Sequence, residues 1–159
     1  MSTCPRRQQP PPVRKRRRAD AYRAFRRIDG FDAAVRNLHL AMAWPRRAET
    51  IALLLDADYV GHSIVVVDGA PTPDAVLDVT AWLATGPPGV PSAAAAVLCS
   101  VRPEGGLLPG DDDRWLTLDA VLAHVGIELL EWVVATEQDA LLPRVLAESP
   151  PRWPAPGTT

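Results

Sequence analysis

Cysteine is scarce in this chain of 159 residues: there are two, Cys4 in a Pro/Arg-rich leader and Cys99 at the end of an Ala/Val/Leu run. Neither fits a disulfide framework, so both are expected as reduced thiols. Long apolar runs are lacking too. None reaches the roughly 18 to 20 residues of a membrane span, and no apolar stretch of a secretory signal follows the basic N-terminus. The expectation is a cytoplasmic protein with no membrane partner. Several catalytic signatures are also missing, including a P-loop, G-x-G-x-x-G, G-x-S-x-G, C-x-x-C and H-E-x-x-H.

What is present is the composition of a folded protein, with 47% apolar and 23% charged residues, enough for one core. The net charge of −2 conceals a strong asymmetry. Residues 1–47 hold 13 of the 17 basic side chains against three acids, Asp20, Asp29 and Asp32, and so carry +10. Residues 48–159 hold the other four basic residues and 16 acids, and carry −12. The protein is electrostatically bipolar.

Proline marks the expected limits of the folded part, since 8 of 17 prolines fall in residues 1–18 or 149–159. The leader, residues 1–18, reads as a disordered polyproline-type spacer followed by Arg14, Lys15, Arg16, Arg17 and Arg18. That block can hold nucleic acid by counterion release, or serve only as a solubilising arm. Residues 149–159 read as a disordered tail and residues 20–148 as a single domain.

Within that domain, Phe25, Ile28, Phe31, Val35, Leu38 and Met42 form a helical stripe over residues 20–44, with Asp20 as cap and Gly30 as a point of breakage. Residues 50–56 read as a buried central strand, and residues 63–67, rich in β-branched side chains, as its neighbour, closed by an Asp68-Gly69 turn. Thr72 and Pro73 open a helix whose inner face is Val76, Val79 or Thr80, and Leu83. Residues 94–100 predict a third strand. Asp111, Asp112 and Asp113 then cap a helix with Trp115, Leu118, Leu122 and Val125 on its inner stripe, ended by Gly126. Residues 127–135 make a fourth strand, with a short helix over 140–147. Trp82, Trp115 and Trp132 read as packing residues, while Trp44 and Trp153 flank prolines near the domain's ends. The order helix, strand, strand, helix, strand, helix, strand is an α/β sandwich.

The segment 98–113, L-C-S-V-R-P-E-G-G-L-L-P-G-D-D-D, joins a buried strand to a helix through a glycine-rich turn. Over residues 49–135 this layout resembles the JAB/MPN (JAMM) metalloprotease-like domain, and most closely the version in the RadC group of bacterial DNA-repair-associated proteins. The resemblance implies a three-layer sandwich of the cytidine-deaminase-like type, a mixed sheet flanked by helices. In that family a strand ends in His-x-His-Pro, followed by a Gly-containing loop, a Pro-Ser pair, two residues and an Asp that opens a helix. Ser100 and Arg102 fall at the two histidine positions, Pro103, Gly105 and Pro109 keep the loop framework, Gly110 falls at the serine and Asp113 at the aspartate. Glu49 matches the family's general base, and Trp132 replaces a histidine of its closing strand.

Zinc catalysis needs three protein ligands and an open position for water. Serine is a poor ligand, and a guanidinium placed beside the metal repels it. The resemblance therefore implies a pseudoenzyme with no cofactor: a vestigial site of Glu49, Ser100, Arg102, Gly110 and Asp113, acting as a binding or scaffold module toward a protein partner. Two alternatives accompany it. One is a nucleic-acid-binding accessory protein that uses the leader. The other is a metal-dependent hydrolase or isopeptidase with a rearranged centre, for which His62, His124 and His39 are the spare imidazoles. Charge balance adds one expectation, an Arg102 to Asp113 contact with Glu49 nearby.

Overall fold

In a computed structural model of the chain, residues 27–69 and 72–153 are described. Their elements are α1 (Phe31–Ala41), β1 (Glu49–Leu55), β2 (Gly61–Asp68), α2 (Ala75–Ala84), β3 (Ala95–Val101), α3 (Asp111–His124), β4 (Glu128–Ala135), β5 (Ala140–Leu141) and α4 (Pro143–Leu146). The strands form one mixed sheet in the order β2-β1-β3-β4-β5. β1 runs antiparallel to both neighbours, β3 and β4 are parallel, and β5 is antiparallel to β4.

β1 and β3 are buried at every position, because each is central and covered on both faces. Alternation divides their side chains between two cores. Ile51, Leu53 and Leu55 with Val97, Cys99 and Val101 pack with Ala34, Leu38 and Ala41 of α1. Ala52, Leu54 and Leu98 pack on the other side with Val76, Val79 and Leu83 of α2 and Trp115, Leu118 and Leu122 of α3. The fold is thus an α/β sheet with helices on both faces.

The order of elements through β4 is as expected, and the structure differs from the expectation at three places. The first helix begins at Phe31, after Gly30, and Arg27 ahead of it forms an antiparallel bridge to Val60 instead of a helical turn. Gly30 ends the extended segment, so the stripe is helical only from Phe31 onward; Asp20 and Phe25 lie outside the described residues. α2 starts at Ala75, not at Thr72-Pro73, and the residue before it, Asp74, has helical dihedrals and makes no side-chain cap bond; its carboxylate pairs with Arg114 at 2.7 Å instead. β5, two residues long, carries too short a pattern to be read and displaces the final helix to Pro143–Leu146.

At the C-terminal end, residues 149–153 were expected within a tail, yet they lie on the domain. Arg152 forms a two-pronged ion pair with Asp119 and stacks at 5.7 Å from the Trp115 ring centre, while Trp153 packs against the α1-side core. The leader with Arg14, Lys15, Arg16, Arg17 and Arg18, and residues 154–159, lie outside the described residues.

Candidate functional site

The C-terminal end of β3, the loop behind it and the start of β1 enclose a cleft of about 420 Å³, whose lining includes Arg46, Glu49, Thr50, Ser100, Arg102 and Glu104. Of the sequence-selected residues, Glu49, Ser100 and Arg102 reach this cleft. Gly110 and Asp113 do not line it.

Ser100 is buried, and its Oγ accepts a hydrogen bond from Trp132 Nε1 at 3.0 Å. Two of the three positions where the resemblance places histidines therefore satisfy each other: the indole of β4 fills the space beside Ser100 and gives its one donor to the hydroxyl. The third, Arg102, has its guanidinium carbon 5.7 Å from the Trp132 ring centre.

Arg102 does not pair with Asp113, which corrects the expected contact. Its fork holds Asp111, with Nη1 to Oδ2 at 2.7 Å and Nη2 to Oδ1 at 3.1 Å. The Asp111 side chain is fully buried and that of Arg102 is 12% exposed. Asp111 Oδ2 also accepts the Leu108 N–H at 2.7 Å, and Oδ1 accepts from Arg114 Nη1 at 3.1 Å. Arg114 in turn reaches Asp74, so the ends of β3, α2 and α3 are tied by alternating charges. Burial raises the Asp111 pKa, but the bonds from Arg102, Leu108 and Arg114 outweigh it and hold the carboxyl below its ordinary value.

The reason is helical phase. Asp111 precedes Trp115, Leu118 and Leu122 by four, seven and eleven residues, so it shares their buried stripe. Asp113 is turned away by two positions and is exposed. None of the three acids caps α3 by its side chain. The cap position is Gly110, whose φ of +85° is left-handed and strained for any residue with a Cβ. A Cβ there would also meet Arg114 Nη1 at 3.3 Å, so a serine at this position would be strained by its backbone and would push the Arg114 side chain aside.

Glu49 is also displaced from the arrangement that the resemblance implies. It is the first residue of β1, opposite Val101, whereas Thr50 stands opposite Ser100. Neighbouring strand residues face opposite sides. Ser100 thus lies on the α2/α3 side with Trp132, while buried Glu49 turns to the α1 side, where Oε1 accepts the Ala43 N–H at 3.1 Å and lies 3.5 Å from Arg47 Nε. Glu49 and Ser100 thus start from opposite faces of the sheet, and both line the cleft at its end.

The spare histidines stand apart. His39 is exposed and contacts Arg46, His62 contacts Ser63 on edge strand β2, and His124 is exposed at the end of α3. Among the described residues no group of three or more His, Cys, Asp or Glu side chains is placed to hold a metal ion. Cys99 is fully buried, and burial pushes its thiol up to about 12, so it stands protonated near neutral pH.

The residue that sequence reasoning passed over is Asp111, and the signal for it was its phase with Trp115. Glu131 was passed over as well: it is buried in β4 and is gripped by Arg144 Nε at 3.0 Å. Burial raises the Glu131 pKa more than Arg144 lowers it. No protein-family model matches the chain, and no curated protein matches it.

Proposed function

We propose that this chain is a catalytically silent domain of the RadC-like JAB/MPN type that works by binding, with the cleft at the end of β3 as its contact region. The reading rests on the resemblance over residues 49–135 and on the agreement between the expected and observed order of elements. One observation carries it: at a position where the resemblance calls for a zinc ligand, a guanidinium is locked in a two-pronged bond to a buried carboxylate. A cation so held opposes a second cation beside it by direct repulsion. The Ser100–Trp132 hydrogen bond occupies the neighbouring position.

The Arg102–Asp111 pair also has a structural use in this reading. It fixes the loop over residues 102–110 from inside, since Arg102 Nη1 donates to the Gly106 carbonyl and Asp111 accepts from Leu108. The pair therefore braces the cleft wall from inside. Partners of such a cleft are met by Glu104, Arg46 and the hydroxyls of Thr50, Thr72 and Ser100 around it.

The test is a hydrolysis assay of the full chain on isopeptide- and peptide-linked substrates, with zinc supplied. The expected result is the rate of the buffer with zinc alone. A rate that depends on the protein, rises with zinc and disappears in Ser100→Ala would overturn the reading.

A further inference from the structure

Every basic residue after position 48 is engaged by a carboxylate: Arg102 by Asp111, Arg114 by Asp111 and Asp74, Arg144 by Glu131 and Arg152 by Asp119. The other described cations are Arg27, Arg36, Arg46 and Arg47, all on or around α1; of these Arg47 is also paired, to Asp68 and Glu49, and Arg46 donates from Nη1 to the Thr136 carbonyl. Their surroundings are distinctive. Trp44, just past α1, is 71% exposed, the most open large apolar side chain among the described residues, and the Arg46 guanidinium stacks 5.1 Å from its ring centre. The Arg47 side chain beside it is 49% exposed even while paired to Asp68. Arg36 is exposed on the outer face of α1, one turn before His39, which is exposed as well and lies 3.3 Å from Arg46. Nine further basic residues precede this region in sequence, within residues 1–26, against the single acid Asp20.

An exposed tryptophan set among arginines, on the basic part of a chain whose remainder is acidic, has the two elements of single-strand recognition. The cations take phosphates and release their counterions, and the open indole face takes a base. Simple solubilisation requires no tryptophan, and a polyanion without bases gives the ring nothing to stack on. We infer that the outer side of α1, from Arg36 to Trp44, Arg46 and Arg47, is a binding surface for single-stranded nucleic acid, with Trp44 as the stacking platform. α1 is about 16 Å long at 1.5 Å per residue, the reach of a few nucleotides. The acidic remainder of the domain repels the backbone elsewhere and confines the strand to this side.

The experiment measures fluorescence anisotropy of a labelled twelve-residue oligothymidylate with the full chain at 50 mM and 200 mM salt. Saturable binding is expected at 50 mM, falling at least tenfold at 200 mM. Trp44→Ala should weaken it about tenfold and Trp44→Phe by no more than about threefold, as loss and retention of one stacked base require. Trp44 is exposed, so neither substitution endangers the fold. An abasic oligomer of equal length should bind the parent protein as weakly as oligothymidylate binds Trp44→Ala. Absence of saturable binding at 50 mM, equal affinity in Trp44→Ala, or equal binding of the abasic strand or of heparin would each overturn the inference.

Discussion

Replacing Arg102 by alanine removes both prongs from a carboxylate that has no access to water, since the Asp111 side chain is 0% exposed. Breaking one side of a buried ion pair costs about 3 to 5 kcal/mol, because the surviving charge is left uncompensated. Here the charge keeps the Leu108 N–H and the more distant prong of Arg114, which sets the expected loss near the lower limit, about 3 kcal/mol. With a urea slope of about 2 kcal/mol/M for a domain of this size, the denaturation midpoint should fall by roughly 1.5 M with the slope unchanged. Arg102→Lys keeps the charge but not the fork, and should lose about half as much. The pH dependence follows. Asp111 is held below its unfolded value, so its contribution is complete above about pH 4 and vanishes as pH falls through the folded value. In Arg102→Ala the folded value rises, and that loss moves to higher pH. A midpoint within 0.5 M of the parent in Arg102→Ala would refute the reasoning.

Asp113→Ala, at an exposed position, should change stability by less than about 0.5 kcal/mol in the same urea titration; a loss equal to that of Asp111→Ala would return Asp113 to the ion-pair network. In Cys4→Ser protein, the Cys99 thiol, pushed up to about 12 by burial, should resist an aromatic disulfide reagent at pH 8 until denaturant is added. Glu131 has a raised pKa, so ionising it costs stability that sets in as pH rises through the ordinary glutamate range and is complete above the folded value. Glu131→Gln lacks that limb, so its stability relative to the parent should improve between pH 4 and pH 7, as read from thermal midpoints; a constant difference would contradict the assignment. Ser100→Ala leaves the Trp132 N–H without an acceptor in the core and should cost about 1 to 3 kcal/mol.

The layers were legible in the sequence because apolar period alone specifies them. β1 and β3 are continuous apolar runs, and Trp115, Leu118 and Leu122 give the inner stripe of α3. The site was less legible, since counting residues from a motif fixes neither helical phase nor strand parity. Asp111 and Asp113 are equivalent as members of an acidic triplet, yet a rotation of 200° separates two positions along a helix, and only Asp111 is aligned with Trp115. Glu49 matched by its place before an apolar run, but its parity puts it with Ile51, not with Thr50 and Ser100. The Ser100–Trp132 bond depends on the parallel pairing of β3 with β4, a contact across 32 residues that no local pattern encodes. Arg152 was assigned to a tail by its proline neighbours, and its partner Asp119 lies 33 residues away.

The central proposal, that a cation and its buried carboxylate stand where the resemblance would place a metal, is tested most directly by the zinc content of the purified full chain after exhaustive dialysis, measured by elemental analysis. Well under one equivalent is expected in the parent protein, with no gain when Asp113 is replaced by alanine. One equivalent of zinc that survives dialysis and is lost in Ser100→Ala would contradict it.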